Sequence, residues 1–204
     1  MFQNNAFKIE TERLIIRCYK IEDAVLLKNL VDSSVDHLRP FMPWAADEPQ
    51  PLQAKIDLLR NWIGQFFKNE DFIYGAFLKS GELIGSTGLH TRRGKGILEI
   101  GYWIGKDYNK KGYATELSYA LTKVAIQHIG VEKVEIRNDI LNHVSERIPQ
   151  KLNFQNGGVI TQLGKRENGT RIQHVIWNLF VEDFVENIKY EPIVMFDALD
   201  NQII

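Results

Sequence analysis

The stretch Tyr108-Asn109-Lys110-Lys111-Gly112-Tyr113-Ala114-Thr115-Glu116, "YNKKGYATE", lies where a strand-like run ends and an amphipathic helix begins. The residues before it, "ILEIGYWI" from Ile97 to Ile104, read as a strand; from Thr115 to Ile129, Leu117, Ala120, Leu121, Val124, Ala125 and Ile129 fall on one helical stripe. A glycine turn between strand and helix gathers unpaired backbone N–H groups at the positive end of the helix dipole, a geometry that binds phosphate. Gly112 lets the backbone approach an anion with no side chain intervening, and Lys110 and Lys111 add positive charge at the mouth. The same pattern also serves as a plain surface connection. It matches neither common nucleotide fingerprint: no G-x-x-x-x-G-K-[ST] occurs, and no G-x-G-x-x-G opens a helix. Gly81, Gly85 and Gly88 fall in a turn and a strand.

Upstream, "FIYGAFL", "LIGSTGLH" and "ILEIGYWI" form an antiparallel meander joined by "KSGE" and "TRRGKG". A first strand is expected over Arg13–Tyr19, followed by a helix whose apolar residues run from Ala24 to Val31, with Asp23 as its cap. A loop with four prolines, "LRPFMPWAADEPQP", carries Phe41, Met42 and Trp44 to a second helix from about Leu52 to Phe67. These large side chains either cover the core edge or line a substrate groove. Downstream come the strand "KVEIRNDI", a helix from His143 capped by Asn142, and a hairpin of "GGVITQL", the turn "KRENGT" and "RIQHVIWNLF". The pattern predicts an α+β fold, a central mixed and mostly antiparallel sheet of about seven strands flanked by about four helices. Residues 1–182 read as a single domain. Residues 183–204 read as a C-terminal extension, a terminal helix plus a tail, docked on the domain or on a second subunit of a homodimer.

With 204 residues, 44% of them hydrophobic, the chain has ample material for a core. Lys plus Arg total 25 against 26 Asp plus Glu, so no general field favours nucleic acid or an anionic membrane, and any anion site is local. The single cysteine, Cys18, is expected to be a buried inert thiol in a reducing cytoplasm. No apolar run approaches the ~20 residues of a membrane span, and the start "MFQNNAFKIETERL" lacks a signal-peptide plan. The five histidines, among them His90 and His174, show no metal-ligand spacing, and no metal is expected. No G-x-S-x-G elbow occurs, which argues against a serine hydrolase.

"EIGYWIGKDYNKKGYATE" resembles the cofactor-binding segment of the GNAT acetyltransferase superfamily, whose pattern is Gln or Arg, two residues, Gly, any residue, then Gly or Ala. "TERLIIR", "HLRPFMPWA" and "NHVSERIPQKLNF" are similar to elements of the branch typified by the Rim acetyltransferases of ribosomal-protein N-termini. Asn109 stands where the family has Gln or Arg, and Asn153 stands where glycine is usual after the helix; Asn tolerates the left-handed conformation, so the helix stop survives. The resemblance implies a GNAT-like fold, with the acetyl-CoA pyrophosphate held by Asn109, Lys110, Lys111, Gly112, Tyr113, Ala114 and Thr115. The pantetheine arm would lie along Tyr102, Trp103 and Ile104, with Asn142 on its other side. The acceptor implied is a protein or peptide N-terminus. A small amine such as a polyamine or aminoglycoside is the alternative, as is a non-catalytic acyl-CoA-binding module.

Acetyl transfer to an amine needs a neutral nucleophile and a proton for the leaving thiolate. Glu99 is a lone carboxylate in an apolar strand, on one face with Ile97, Gly101 and Trp103. The resemblance implies Glu99 as general base, with a pKa expected to be raised by burial; the alternative is a structural pair with Arg92 or His90. A hairpin centred on the "RRG" turn would place Glu99 opposite Gly88. Where many superfamily members carry an acidic tyrosine this chain has Pro149, and the resembled branch implies Ser145 as the acid. Pro149 cannot bond the Ser145 carbonyl, so a distorted turn is expected there.

Overall fold

The computed structural model describes residues 6–166 and 169–203, and its elements follow the period of their apolar residues. In chain order they are β1 (Lys8–Glu10), β2 (Leu14–Cys18), α1 (Ala24–Leu38), α2 (Leu52–Phe67), β3 (Phe72–Leu78), β4 (Leu83–His90), β5 (Ile97–Ile104), α3 (Tyr113–Lys123), β6 (Lys133–Asp139), α4 (His143–Lys151), β7 (Gln155–Lys165), β8 (Arg171–Phe180) and β9 (Val194–Phe196). Among the described residues the nine strands form one sheet, ordered β7-β8-β6-β5-β4-β3-β2-β1-β9. Only β5 and β6 run parallel; the other neighbours are antiparallel. The expected α+β architecture is present, with two strands more than the seven expected. The additions, β1 and β9, have three residues each, too few for a visible period of two.

Period-two alternation splits the central strands between two buried layers. In β3, Phe72, Tyr74 and Ala76 join Leu98 and Ile100 of β5 and Leu117 and Leu121 of α3. Ile73 and Phe77 point the other way, toward Leu27 and Val31 of α1 and Leu59 of α2. No helix among the described residues is long and apolar enough to cross a membrane.

Several local expectations need correction. Asp23 does not cap α1. Its carboxylate accepts from Lys20 N at 2.7 Å and from the Arg17 guanidinium at 2.8 and 2.9 Å, which closes the preceding turn. The helix expected over Thr115–Ile129 starts two residues earlier and becomes a wider π-helical turn over Val124–Ile129, ended by Gly130 at φ 78°. Among the described residues the tail holds no terminal helix: two short 3-10 turns lead to β9, which pairs with β1. Glu167 and Asn168 of the expected "KRENGT" turn lie outside the described residues.

Met195, at the centre of β9, is fully buried, whereas Leu199 just beyond it is 82% exposed. Met195→Ala is therefore expected to lower the unfolding free energy by about 2–3 kcal/mol in urea titration, with Leu199→Ala within about 0.5 kcal/mol of wild type. Equal midpoints for the two variants would mean that β9 adds nothing to the sheet.

Candidate active site

The site begins where two strands part. Parallel pairing of β5 with β6 runs only from Ile97–Lys133 to Ile100–Ile136. Beyond it β5 stays with β4, ending at Gly85–Ile104, while β6 stays with β8, ending at Asp139–His174. The β5 edge from Gly101 to Ile104 therefore has no strand partner on its β6 side, and its backbone can pair with an extended ligand. Of the three residues expected there, Tyr102 and Trp103 are half-buried and line the opening, while Ile104 turns into the core.

Tyr102 reaches across the gap to α4. Its hydroxyl lies 2.9 Å from Ser145 Oγ and donates to the Ser145 carbonyl at 3.3 Å. That carbonyl is the one Pro149 cannot bond, so the phenol replaces the missing intrahelical donor. α4 runs unbroken through Pro149. Burial pushes the Tyr102 phenol well above its usual pKa, so it remains a neutral donor. Asn142 caps the helix as expected, its Oδ1 accepting from Ser145 N at 3.1 Å, and Asn153 ends it in the left-handed region at φ 62°.

The glycine turn follows β5. Gly112 holds φ 85°, and having no side chain it leaves the first N–H groups of α3, those of Tyr113 and Ala114, without a side-chain cap. Lys110 and Lys111 are exposed beside it, and Thr115 is buried behind. Sequence reasoning missed the buttress. Glu116, buried in the first turn of α3, accepts from Thr11 Oγ1 at 2.6 Å, Arg13 Nε at 2.6 Å and Arg13 N at 3.1 Å. Arg13 also donates to the Lys111 carbonyl at 2.9 Å, and a Cβ on Gly112 would meet its guanidinium at 3.4 Å. An ion pair joins residues far apart in sequence, so only the charge of Glu116 in an apolar helix start could have hinted at it. Asn109, the departure from the family pattern, directs its amide to the Gly105 and Lys106 carbonyls at 3.2 Å and to His37 Nε2 at 3.0 Å. It shapes the loop and leaves the cradle to the backbone.

The open strand edge and the Tyr102–Ser145 contact line a cleft of about 950 Å³, and the glycine turn lies outside its lining. Phe41, Met42 and Trp44 of the proline-rich loop line the cleft. The Trp44 and Trp103 rings lie 5.7 Å apart, and a buried Glu48–Lys55 ion pair anchors the loop to α2. His90 and His174 also line the cleft.

Glu99 is buried on the cleft side, but not as expected. It stands opposite His90, with Gly88 opposite Gly101, because the β4–β5 connection is longer than a hairpin centred on "RRG". Arg92 and Arg93 both bond its carboxylate, and Arg137 Nε lies 3.4 Å away. Burial pushes the carboxyl up, yet the hydrogen bonds and charges of Arg92 and Arg93 outweigh it and hold the pKa below the usual range. The expectation of a raised pKa is overturned. Cys18 is half-buried, and burial pushes its thiol up to about 11, which suits an inert thiol.

Residues 13–155 match the family model described as the acetyltransferase (GNAT) domain. A Bacillus subtilis (strain 168) protein provisionally named ribosomal N-acetyltransferase YdaF is 25% identical over 148 residues, covering 72% of this chain and 80% of that protein. Among solved structures, the RimL ribosomal L7/L12 α-N-protein acetyltransferase in complex with coenzyme A superposes with a TM-score of 0.75 at 15% identity, over 85% of this chain and 99% of that one. The microcin C7 self-immunity acetyltransferase MccE, in complex with acetyl-CoA and AMP, gives 0.74 at 16% identity, over 83% and 93%. With the family model spanning most of the chain and the parted strands and glycine turn in place, this protein belongs to the GNAT acetyltransferase family.

Proposed function

We propose that the protein transfers acetyl from acetyl-CoA to the α-amino group of a protein or peptide, by direct attack in a ternary complex. The observation that carries this reading is the open strand edge at Gly101–Ile104 followed directly by the uncapped helix start at Gly112. An acyl-CoA has the matching parts: a flexible arm whose amides can extend the sheet, and a pyrophosphate suited to a helix N-terminus. The thioester would then lie where Tyr102 presents Ser145. Ser145 Oγ is the proposed donor to the thiolate, fixed by the Tyr102 hydroxyl and by the Asn142 cap on its own N–H.

The cleft favours a peptide over a polyamine. Of its carboxylates, Glu48, Glu99 and Asp139 are already ion-paired, with Lys55, with Arg92 and Arg93, and with Arg166 respectively, which leaves the exposed Asp47 as the single unpaired carboxylate among the described lining residues. A polycationic acceptor needs free carboxylates, and guanidinium groups repel it. The resemblance to a ribosomal N-acetyltransferase at 25% identity supports the same acceptor class.

Two outcomes are expected. In calorimetric titration Gly112→Asp abolishes CoA binding, because it sets a carboxylate against the pyrophosphate and forces an L-residue to φ 85° at a cost of about 1–2 kcal/mol; normal CoA affinity would remove the cradle assignment. On a panel of peptides with free α-amines, followed by mass spectrometry, Ser145→Ala lowers kcat by roughly 10- to 100-fold with CoA affinity kept, and Tyr102→Phe by roughly 5- to 10-fold, the worth of about one hydrogen bond. Wild-type turnover in Ser145→Ala would exclude it as the donor.

A further inference from the structure

Acetyl transfer needs a proton acceptor in the cleft, and Glu99, held by arginines, is poorly suited to be one. The geometry points to His90, oriented by Asp71, as the group that takes the proton from the acceptor α-amine. This deepens the proposed acetyl transfer and rests on it.

His90 ends β4, and Asp71 immediately precedes β3; the pairing of Phe72 with Leu89 brings the two side by side. His90 Nδ1 lies 3.0 and 2.9 Å from the two Asp71 carboxylate oxygens. A carboxylate accepts, so Nδ1 carries a proton, and in the neutral ring the lone pair is then on Nε2. Among the described residues Nε2 has no protein partner, and the ring lines the cleft. The ring lies over the paired glycines Gly88 and Gly101: a Cβ on Gly101 would stand 2.8 Å from Nε2, and one on Gly88 3.1 Å. Two facing glycines thus make the seat for the imidazole. That seat is one residue before Tyr102, at the start of the open edge, in the same cleft as Ser145.

The alternatives in the cleft lack this arrangement. His174 Nδ1 meets the Gln162 amide at 3.4 Å instead of a carboxylate. Asp71 stands beside His90; the charged and titratable groups sharing the cleft wall are Glu99 across the strand with Arg92, Arg93 and Arg137, Asp139 paired with Arg166, Glu48 paired with Lys55, the exposed Asp47, and His174 on β8. The proton balance closes. His90 Nε2 removes one proton from the ammonium and releases it to solvent, and the freed lone pair attacks the thioester carbonyl. As the C–S bond breaks, the second proton of the attacking nitrogen ends on sulfur by way of the Ser145 hydroxyl.

The test uses the full chain saturated with CoA, and the wild type, His90→Gln and Asp71→Asn on the α-amine peptide panel. Expected are a kcat loss of roughly 100-fold or more for His90→Gln with unchanged CoA affinity, and a smaller loss for Asp71→Asn. In 15N-histidine spectra recorded where imidazole is neutral, the resonance missing from His90→Gln is expected to report the Nδ1–H tautomer, and Asp71→Asn to shift it toward Nε2–H. Asp71 is a positioning residue, and a purely structural role would leave that tautomer unmoved. Wild-type turnover in His90→Gln, or an Nε2–H tautomer in the wild type, overturns the base assignment alone. A wild type that acetylates no peptide overturns the acceptor reading and the base with it.

Discussion

Everything at the centre of this molecule depends on β5 and β6 separating after four paired residues. Parallel pairing requires both strands to keep one direction, and here each is held more firmly by its other neighbour, β5 by β4 and β6 by β8. The result is a length of backbone inside the protein with unpaired donors and acceptors. Such backbone is tolerated where it borders water or a ligand. Tyr102 shows how closely the opening is fitted, since one hydroxyl both bridges it and supplies the bond that Pro149 removes from α4.

Charge placement follows from the same constraint. Opening the sheet brings residues of β5 and β6 to a wall that is neither core nor surface, and carboxylates there need partners. Glu99 finds Arg92 and Arg93 from the adjoining turn and Arg137 from the neighbouring strand. Glu116 finds Arg13 and Thr11 behind the glycine turn. Buried carboxylates in this protein hold elements together, which is why burial alone was a poor guide to proton affinity.

Much of the architecture was legible in the sequence because periodicity and glycine placement are local signals. The helix over α2, the meander of β3 to β5, the caps at Asn142 and Asn153 and the glycine turn at Gly112 all follow from residues within a few positions of one another. What escaped was pairing across distance. The three-residue strands β1 and β9 have no period to read, and the Glu99 register depended on an irregular connection. The Asp71–His90 contact was within reach: once Phe72 is set against Leu89, their outer neighbours must meet. Arg13 with Glu116 had no comparable signal.

The sheet edge at β1 joins the two ends of the described chain. β9 pairs with β1 over three residues, and on its outer side it is held by the Phe196–Gln202 bridge and by Ile203 N–H donating to the Met195 carbonyl at 2.8 Å, a short margin at which sheet opening can begin. β1 pairs with β2 through a turn that carries Thr11 and Arg13, the residues that brace Glu116 and the Lys111 carbonyl. Fraying at the far margin of the sheet is thereby coupled, through one short hairpin, to the rigidity of the anion cradle.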